Sequence, residues 1–235
     1  MNNCNSNPVE VTSYLSLAQD RYDFSEKNKL RESTKLVPVG TDISVTFDFD
    51  KKIPIGALLC LILEPVAGVN IQTSSYSMPG LYLKPDGCYF DNTNIWFDIK
   101  PEQKIFKPEN AVNGMSRTEE KSNMWIGDPQ VDLPQSFSLE WQTANEFDCI
   151  DLVFDTNLNK INKYGATPEC IKNYELLADG KLLLKVENNY QRFKRHCLEN
   201  VIYANKLELK ITETNGDQAP RIYEIRVFRQ QINPD

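Results

Sequence analysis

The sequence of 235 residues holds a single histidine, His196, and that scarcity excludes a good deal. Metal sites built on paired histidines cannot form, and neither can a relay using more than one imidazole. Cys197 stands next to His196, but adjacent residues of a strand point to opposite faces, so the two do not make a nucleophile–base pair. The six cysteines (Cys4, Cys60, Cys88, Cys149, Cys170 and Cys197) contain no Cys-x-x-Cys spacing, which removes the framework of a zinc ribbon or a thioredoxin-type site. Cys60 and Cys149 sit inside apolar, strand-like runs and read as small buried hydrophobes.

Positive charge is also in short supply, with 26 Lys plus Arg against 33 Asp plus Glu and a net charge of -7. The densest basic stretch is Arg192-Phe193-Lys194-Arg195, which reads as a solvated strand face. No nucleic-acid partner is expected of an acidic chain without clustered cations. Long hydrophobic runs are absent too. The longest, Ile53 to Leu63, is broken by Pro54 and Gly56 and falls short of the roughly 20 residues that span a bilayer. No membrane span is expected. The opening Met1-Asn2-Asn3-Cys4-Asn5-Ser6-Asn7 has neither the basic nor the apolar part of a secretory leader. Localisation therefore stays open between the cytoplasm and secretion from a processed precursor. The lack of any Asn-x-Ser/Thr sequon disfavours a secreted glycoprotein.

What the sequence does contain is period-two alternation. Ile43, Val45, Phe47 and Phe49 alternate with polar residues, as do Phe137, Leu139 and Trp141, and Leu207, Leu209 and Ile211. Each pattern predicts a strand with one buried and one wet face. The run Ile55 to Leu63 does not alternate and predicts a strand buried on both faces. Further strands are expected over Val9–Leu17, Val69–Ser74, Ile95–Ile99, Ile150–Phe154, Tyr174–Ala178, Lys181–Val186, Arg192–Leu198 and Tyr223–Phe228. Asp179-Gly180 between two apolar runs is a hairpin signal. The polar segment Ser25–Lys35 reads as a loop or one or two helical turns. The fold class expected is all-β: two packed antiparallel β-sandwiches, with residues 1–100 as one domain and 101–235 as the other.

The second half presents its features in a recognisable order. Asn110-Ala111-Val112-Asn113-Gly114 is followed by Asn123-Met124-Trp125-Ile126-Gly127-Asp128-Pro129, then by the alternating run at Phe137–Trp141, and the end is Ile222-Tyr223-Glu224-Ile225-Arg226-Val227-Phe228. Residues 104–229 thereby resemble the discoidin, or coagulation-factor type C, domain of the galactose-binding-like jelly rolls. Together with Leu152-Val153-Phe154-Asp155-Thr156-Asn157-Leu158-Asn159 and Asn188-Asn189-Tyr190-Gln191-Arg192, the pattern also resembles the C-terminal region of bacterial FAD-dependent oxidoreductases, some labelled xanthan lyases. The flavin domain of those proteins has no counterpart here, because no Gly-x-Gly-x-x-Gly follows any strand. The resemblance implies an accessory region and not the redox chemistry.

The expected function is a non-catalytic module that binds carbohydrate or docks onto a flavin-dependent catalytic partner. A carboxylate-dependent enzyme acting on polysaccharide and a purely structural domain are the alternatives. The carboxylates available for the former, Asp148 with Asp151 and Glu119 with Glu120, carry no specific spacing signal. For sugar binding, the aromatic residues in or near loops are Tyr164, Tyr190 and Phe193, with Asn189 and Arg192 to supply polar contacts. Trp125, Trp141 and Phe154 fall at core positions. No cofactor is expected beyond a structural calcium ion that the resemblance implies beside the Asn110–Gly114 loop. Its matched positions are Ala111, Asn113, Ser116, Thr118 and Glu224. Asn113 stands where the family places an Asp, which weakens a hard-cation site. A loop held by hydrogen bonds alone is the competing reading. Asp155-Thr156-Asn157-Leu158-Asn159 imitates half an EF-hand loop, but Lys160 occupies its glycine position.

Overall fold

The computed structural model describes residues 1–19, 23, 26–51, 59–74, 94–95, 105–117, 123–158 and 165–230. The chain divides into two compact units, Met1–Lys100 and Pro101–Asp235. Regular structure is nearly all β, and every strand pair among the described residues is antiparallel.

In the first unit, β2 (Val9–Leu17) lies between β3 (Lys29–Val37) and β4 (Leu59–Leu63). The central strand is the most buried, with Val11, Ser13, Tyr14, Leu15 and Ser16 all inside. Two short ribbons pair β1 (Asn2–Asn3) with β5 (Val69–Asn70), and β6 (Thr73–Ser74) with β7 (Asn94–Ile95). Three expectations need correction here. The polar segment Ser25–Lys35 gives only a 3-10 turn, Glu26–Asn28, before running straight into β3. Its charges mark a sheet edge, where they discourage pairing with other chains, and so no apolar alternation announces it. The described part of the Ile55–Leu63 run is an edge strand as well. Leu59 and Leu61 are 39% and 45% exposed, so β4 is not buried on both faces. Residues 43–50 keep their alternation of half-buried and exposed positions but join no ladder. They are tied to β3 by the Asp48 N–H on Ser33 Oγ at 3.2 Å and by Lys35–Asp48 at 2.6 Å.

The second unit is one six-stranded sheet, formed by β8 (Trp125–Ile126), β9 (Gln135–Phe154), β10 (Ile171–Ala178), β11 (Lys181–Val186), β12 (Phe193–Thr214) and β13 (Arg221–Phe228), in the order β11-β10-β12-β9-β13-β8. Two of these strands are far longer than the patterns suggest. The runs at Phe137–Trp141 and Ile150–Phe154 belong to the single β9, and those at Arg192–Leu198 and Leu207–Ile211 to the single β12. Straight strands of that length would extend about 65 Å, well beyond a domain of this size with its radius of gyration of about 14 Å, so the sheet must fold over. Register breaks between Cys197 and Ile202, and between Ala204 and Lys206, mark where it bends. Core-facing parity changes there too, from Phe137 and Phe147 to Ile150, Leu152 and Phe154. That switch is why one strand reads as two in the sequence.

The folded sheet encloses a single large core. Phe147, Ile150, Leu152, Phe154, Ile171, Tyr174, Leu176, Leu207, Leu209 and Ile211 are fully buried in it, each side chain contributing roughly 1.5–3 kcal/mol. Trp125 packs edge-on to Phe137 at 5.3 Å, and Trp141 lies 6.1 Å from Phe147, as expected of core aromatics. The β10–β11 hairpin turns at Asp179 (φ 45°) and Gly180 (φ 79°). Two successive left-handed residues are what a tight hairpin requires. The Asp179 carboxylate also accepts the N–H groups of Asn205 and Lys206, at 3.0 and 2.8 Å.

Candidate functional site

Because β12 folds over, the loops at its two ends meet. Asn215, just after the strand, donates through Nδ2 at 3.0 Å to the carbonyls of Cys170 and of Asn189, which lies just before it. The end of β9 arrives at the same place, since Phe193 pairs with Val153, as does the start of β10, since Ile171 pairs with Thr214. Around this junction lies an open cleft of about 430 Å³ lined by Thr156, Gly165, Ala166, Thr167, Lys172, Asn188, Tyr190 and Asn215. That volume lies within the range of small-molecule sites.

Tyr190 is the aromatic wall of the cleft, and 67% of it is exposed. The loop that carries it is held firmly. Asn188 takes a left-handed conformation (φ 56°), which asparagine tolerates, and its N–H donates to Asn173 Oδ1 at 2.8 Å. Asn189 is buried. Its Nδ2 donates to the carbonyls of Ile171 (2.7 Å) and Gln191 (3.2 Å), and its Oδ1 accepts the Gln191 N–H at 3.1 Å. An exposed ring on a pinned backbone is pre-organised to stack against a ligand. The rest of the lining is largely polar. The Thr167 hydroxyl is buried and has no partner among the described residues. The Lys172 ammonium is held by Glu213 at 2.5 Å.

Close in sequence to the lining residues Thr156 and Asn215 come members of a buried ionic network. Arg221 is 1% exposed and lies 2.6 Å from Asp217 and 3.4 Å from Asp155. Asp155 Oδ1 accepts the Asn157 N–H at 2.8 Å, and Asn157 Nδ2 donates to Glu169 at 3.0 Å. Burial pushes both Asp155 and Asp217 above the usual carboxylate range, against the downward pull of Arg221. Asp155 thus serves the arginine, and the half EF-hand likeness at this loop has no free carboxylate to offer.

The sugar-site residues expected from sequence have separate fates. Tyr190 lines the cleft. Asn189 holds the loop and spends its amide on backbone groups. Arg192 donates to the carbonyls of Phe154, at 3.1 Å, and Ser116, and its guanidinium sits 4.5 Å from the centre of the Tyr223 ring. Phe193 is half exposed, with Arg195 5.7 Å from its ring, and is not part of the cleft lining. Tyr164 lies outside the described residues. Asn188 is Tyr190's near neighbour in sequence but was not singled out, and Thr156, Thr167, Lys172 and Asn215 escaped the sequence reading because only the fold brings them to that loop.

Among the described residues, the positions matched to calcium fit the ion poorly. Ala111 is buried in the 3-10 turn Pro108–Val112. Asn113 carries no charge, and its Oδ1 accepts the Met115 N–H at 2.8 Å. The Ser116 carbonyl accepts from the Arg192 guanidinium. Glu224 is buried and bound by Arg226 at 2.5 Å. Thr118 lies outside the described residues. Calcium needs six to eight oxygens and gains from anionic ones. Here a single carboxylate is already paired, and a second guanidinium sits on a would-be ligand. Among the described residues, no group of three or more His, Cys, Asp or Glu side chains is placed to hold a metal.

Among the described residues, the carboxylates of the enzymatic alternative are engaged elsewhere. Asp151 is bound through both oxygens to Arg195, at 2.7 and 2.8 Å, while Asp148 accepts the Gln230 N–H at 2.7 Å. Glu119 and Glu120 lie outside the described residues. His196 meets the buried Tyr174 hydroxyl through Nε2 at 2.8 Å. Burial and then the Lys194 charge push its imidazole below the ordinary value, against an upward pull from Asp151. The unfolded chain therefore takes up this proton at higher pH than the folded one. The stability carried by neutral His196 is complete above the ordinary histidine value of about 6.5 and is lost as pH falls through the lowered folded value. Thermal unfolding of the protein beside H196Q should show the difference in Tm moving against the natural protein from about pH 7.5 to about pH 5.5. A pH-independent difference would remove this role.

The chain matches no protein-family profile and no curated protein. Among solved structures it is similar to the family 32 carbohydrate-binding module of Streptococcus pneumoniae EndoD, at 19% identity and a TM-score of 0.45, over 56% of this chain and 91% of that one. It is also similar to the family 32 module of C. perfringens NanJ in complex with galactose, at 19% identity and a TM-score of 0.42, over 55% and 88% of the two chains. A third likeness is to CpGH89CBM32-5 from Clostridium perfringens, in complex with GalNAc-β-1,3-galactose, at 22% identity and a TM-score of 0.40, over 51% and 81%. At such identities and TM-scores the likeness carries no argument about the site, and each bound sugar is that protein's own.

Proposed function

We propose that Pro101–Asp235 is a non-catalytic carbohydrate-binding module of the galactose-binding-like kind, and that its site is the cleft beside Tyr190. The observation that carries this reading is one exposed aromatic ring on a hydrogen-bonded loop, in a cleft also lined by Thr156, Lys172, Asn188 and Asn215. A sugar offers C–H faces to a ring and hydroxyls to polar side chains, and this wall supplies both. Asp148, Asp151 and the single histidine are each engaged by other groups, which gives catalysis no support among the described residues. The flavin-dependent partner rests on the sequence resemblance alone.

A glycan array probed with the full chain tests the proposal. Binding to a defined set of saccharides is expected, with the signal lost in Y190A. Retention of the same signal by Y190A would place the site elsewhere, and no binding to any glycan would sink the proposal. We propose also that the module works without calcium, the Arg192 guanidinium bridging the loop in place of an ion. Neither millimolar calcium nor EDTA should then move Tm by more than about 1 °C or alter the array pattern. A calcium-dependent rise of several degrees would contradict this, since an ion that binds only the folded state must stabilise it.

A further inference from the structure

Cys149 on β9 and Cys197 on β12 are direct register partners, and their sulfurs lie 2.8 Å apart with both cysteines free. Opposed residues of an antiparallel pair have Cα atoms about 4.5–5.5 Å apart, inside the span a disulfide accepts, so the register places the two thiols within disulfide reach. The two thiols differ in access. Cys149 is 1% exposed and Cys197 is exposed. They form the last rung before the ladder breaks, since the next pairing joins Ile202 to Phe147. His196, between the two strands' side chains on the other face, takes no part and is engaged by Tyr174.

We propose that Cys149 and Cys197 are a dithiol site that small-molecule disulfides of the glutathione type oxidise to an intramolecular disulfide. The Cys197 thiolate attacks one sulfur of the external disulfide, whose S–S bond breaks, and the electron pair departs on the first leaving thiolate. Cys149 then releases its proton to solvent and attacks the Cys197 sulfur, expelling the second external thiol. The protein loses two S–H hydrogens, and one external disulfide becomes two thiols. The order follows from access. Burial, together with the hydrogen bond to Cys197, pushes the Cys149 thiol up, so the exposed partner attacks first. The new bond closes the rung where the sheet bends and pins β9 to β12.

The test uses the full chain equilibrated in glutathione buffers of graded oxidation, then alkylated, digested and read by mass spectrometry. A cross-linked peptide pair joining Cys149 to Cys197, lighter by two hydrogens, should rise with oxidation. Tm should rise with it by several degrees, reversibly on reduction, as expected for a cross-link that constrains the unfolded chain. C149A should stop at a mixed disulfide on Cys197, and C197S should show neither cross-link nor Tm shift. Because Cys197 is exposed, C197S is expected to fold. Full alkylation of both cysteines under the most oxidising condition would overturn the proposal, as would pairing of either one with a different cysteine.

Discussion

Replacing Arg221 with methionine should cost about 3–5 kcal/mol of stability, the range seen when one partner of a buried ion pair is removed. The side chain is 1% exposed and sits between Asp155 and Asp217, with Glu169 linked to the same network through Asn157. Methionine fills much of the volume but leaves carboxylates buried without their cation, and an unpaired buried charge is far costlier than a lost contact. Set against a total stability of about 5–15 kcal/mol, the loss should appear as a large fall in the urea midpoint. The loss should also depend on pH in a definite direction. Asp155 and Asp217 already hold their protons above the usual carboxylate range. Such groups bind more protons folded than unfolded, so they cost stability as pH rises. Without the arginine they shift further up, and the deficit of R221M should shrink as the solution is acidified. R221K should fall between, because a single ammonium cannot reach two carboxylates as a fork does. An R221M deficit under about 1 kcal/mol would show that the buried network does not stabilise this unit.

Replacing Tyr190 with alanine should weaken saccharide binding by about thirtyfold, the roughly 2 kcal/mol typical of a central aromatic contact. Stability should barely change. The ring is mostly exposed, and the loop beneath it is held by Asn189 and Asn215, whose bonds do not involve the ring. Y190F should retain most of the affinity if stacking dominates. F193A should bind as the natural protein does, since Phe193 lies off the cleft wall. These variants separate a contact role for Tyr190 from a structural one, because only a contact role predicts loss of affinity at constant Tm.

The site was only partly legible in the sequence, for reasons of geometry. The all-β class showed plainly, since alternation at Phe137–Trp141 and Leu207–Ile211 needs no long-range information. The polar edge strand β3 did not show, because an edge is marked by charge and not by alternation. Tyr190 could be picked out as an aromatic residue among asparagines. Its neighbours in the cleft lining could not, because Thr156, Thr167 and Asn215 meet it only after two long strands bend at register breaks. Asn189 and Arg192 looked like ligand contacts because they are polar and near a loop. Their bonds to backbone carbonyls turn out to hold that loop in place. A side chain's polarity is written in the sequence, whereas its hydrogen-bond partner belongs to the fold.

The central claim, that the cleft beside Tyr190 is the carbohydrate site, is tested most directly by an amide NMR titration of the full chain with a saccharide selected on the array. Dose-dependent shifts are expected at Ala166, Thr167, Asn188, Tyr190 and Asn215, with the Ser116 loop and the Met1–Lys100 unit unmoved. Shifts confined to that loop or to the first unit, with the cleft amides silent, would contradict it.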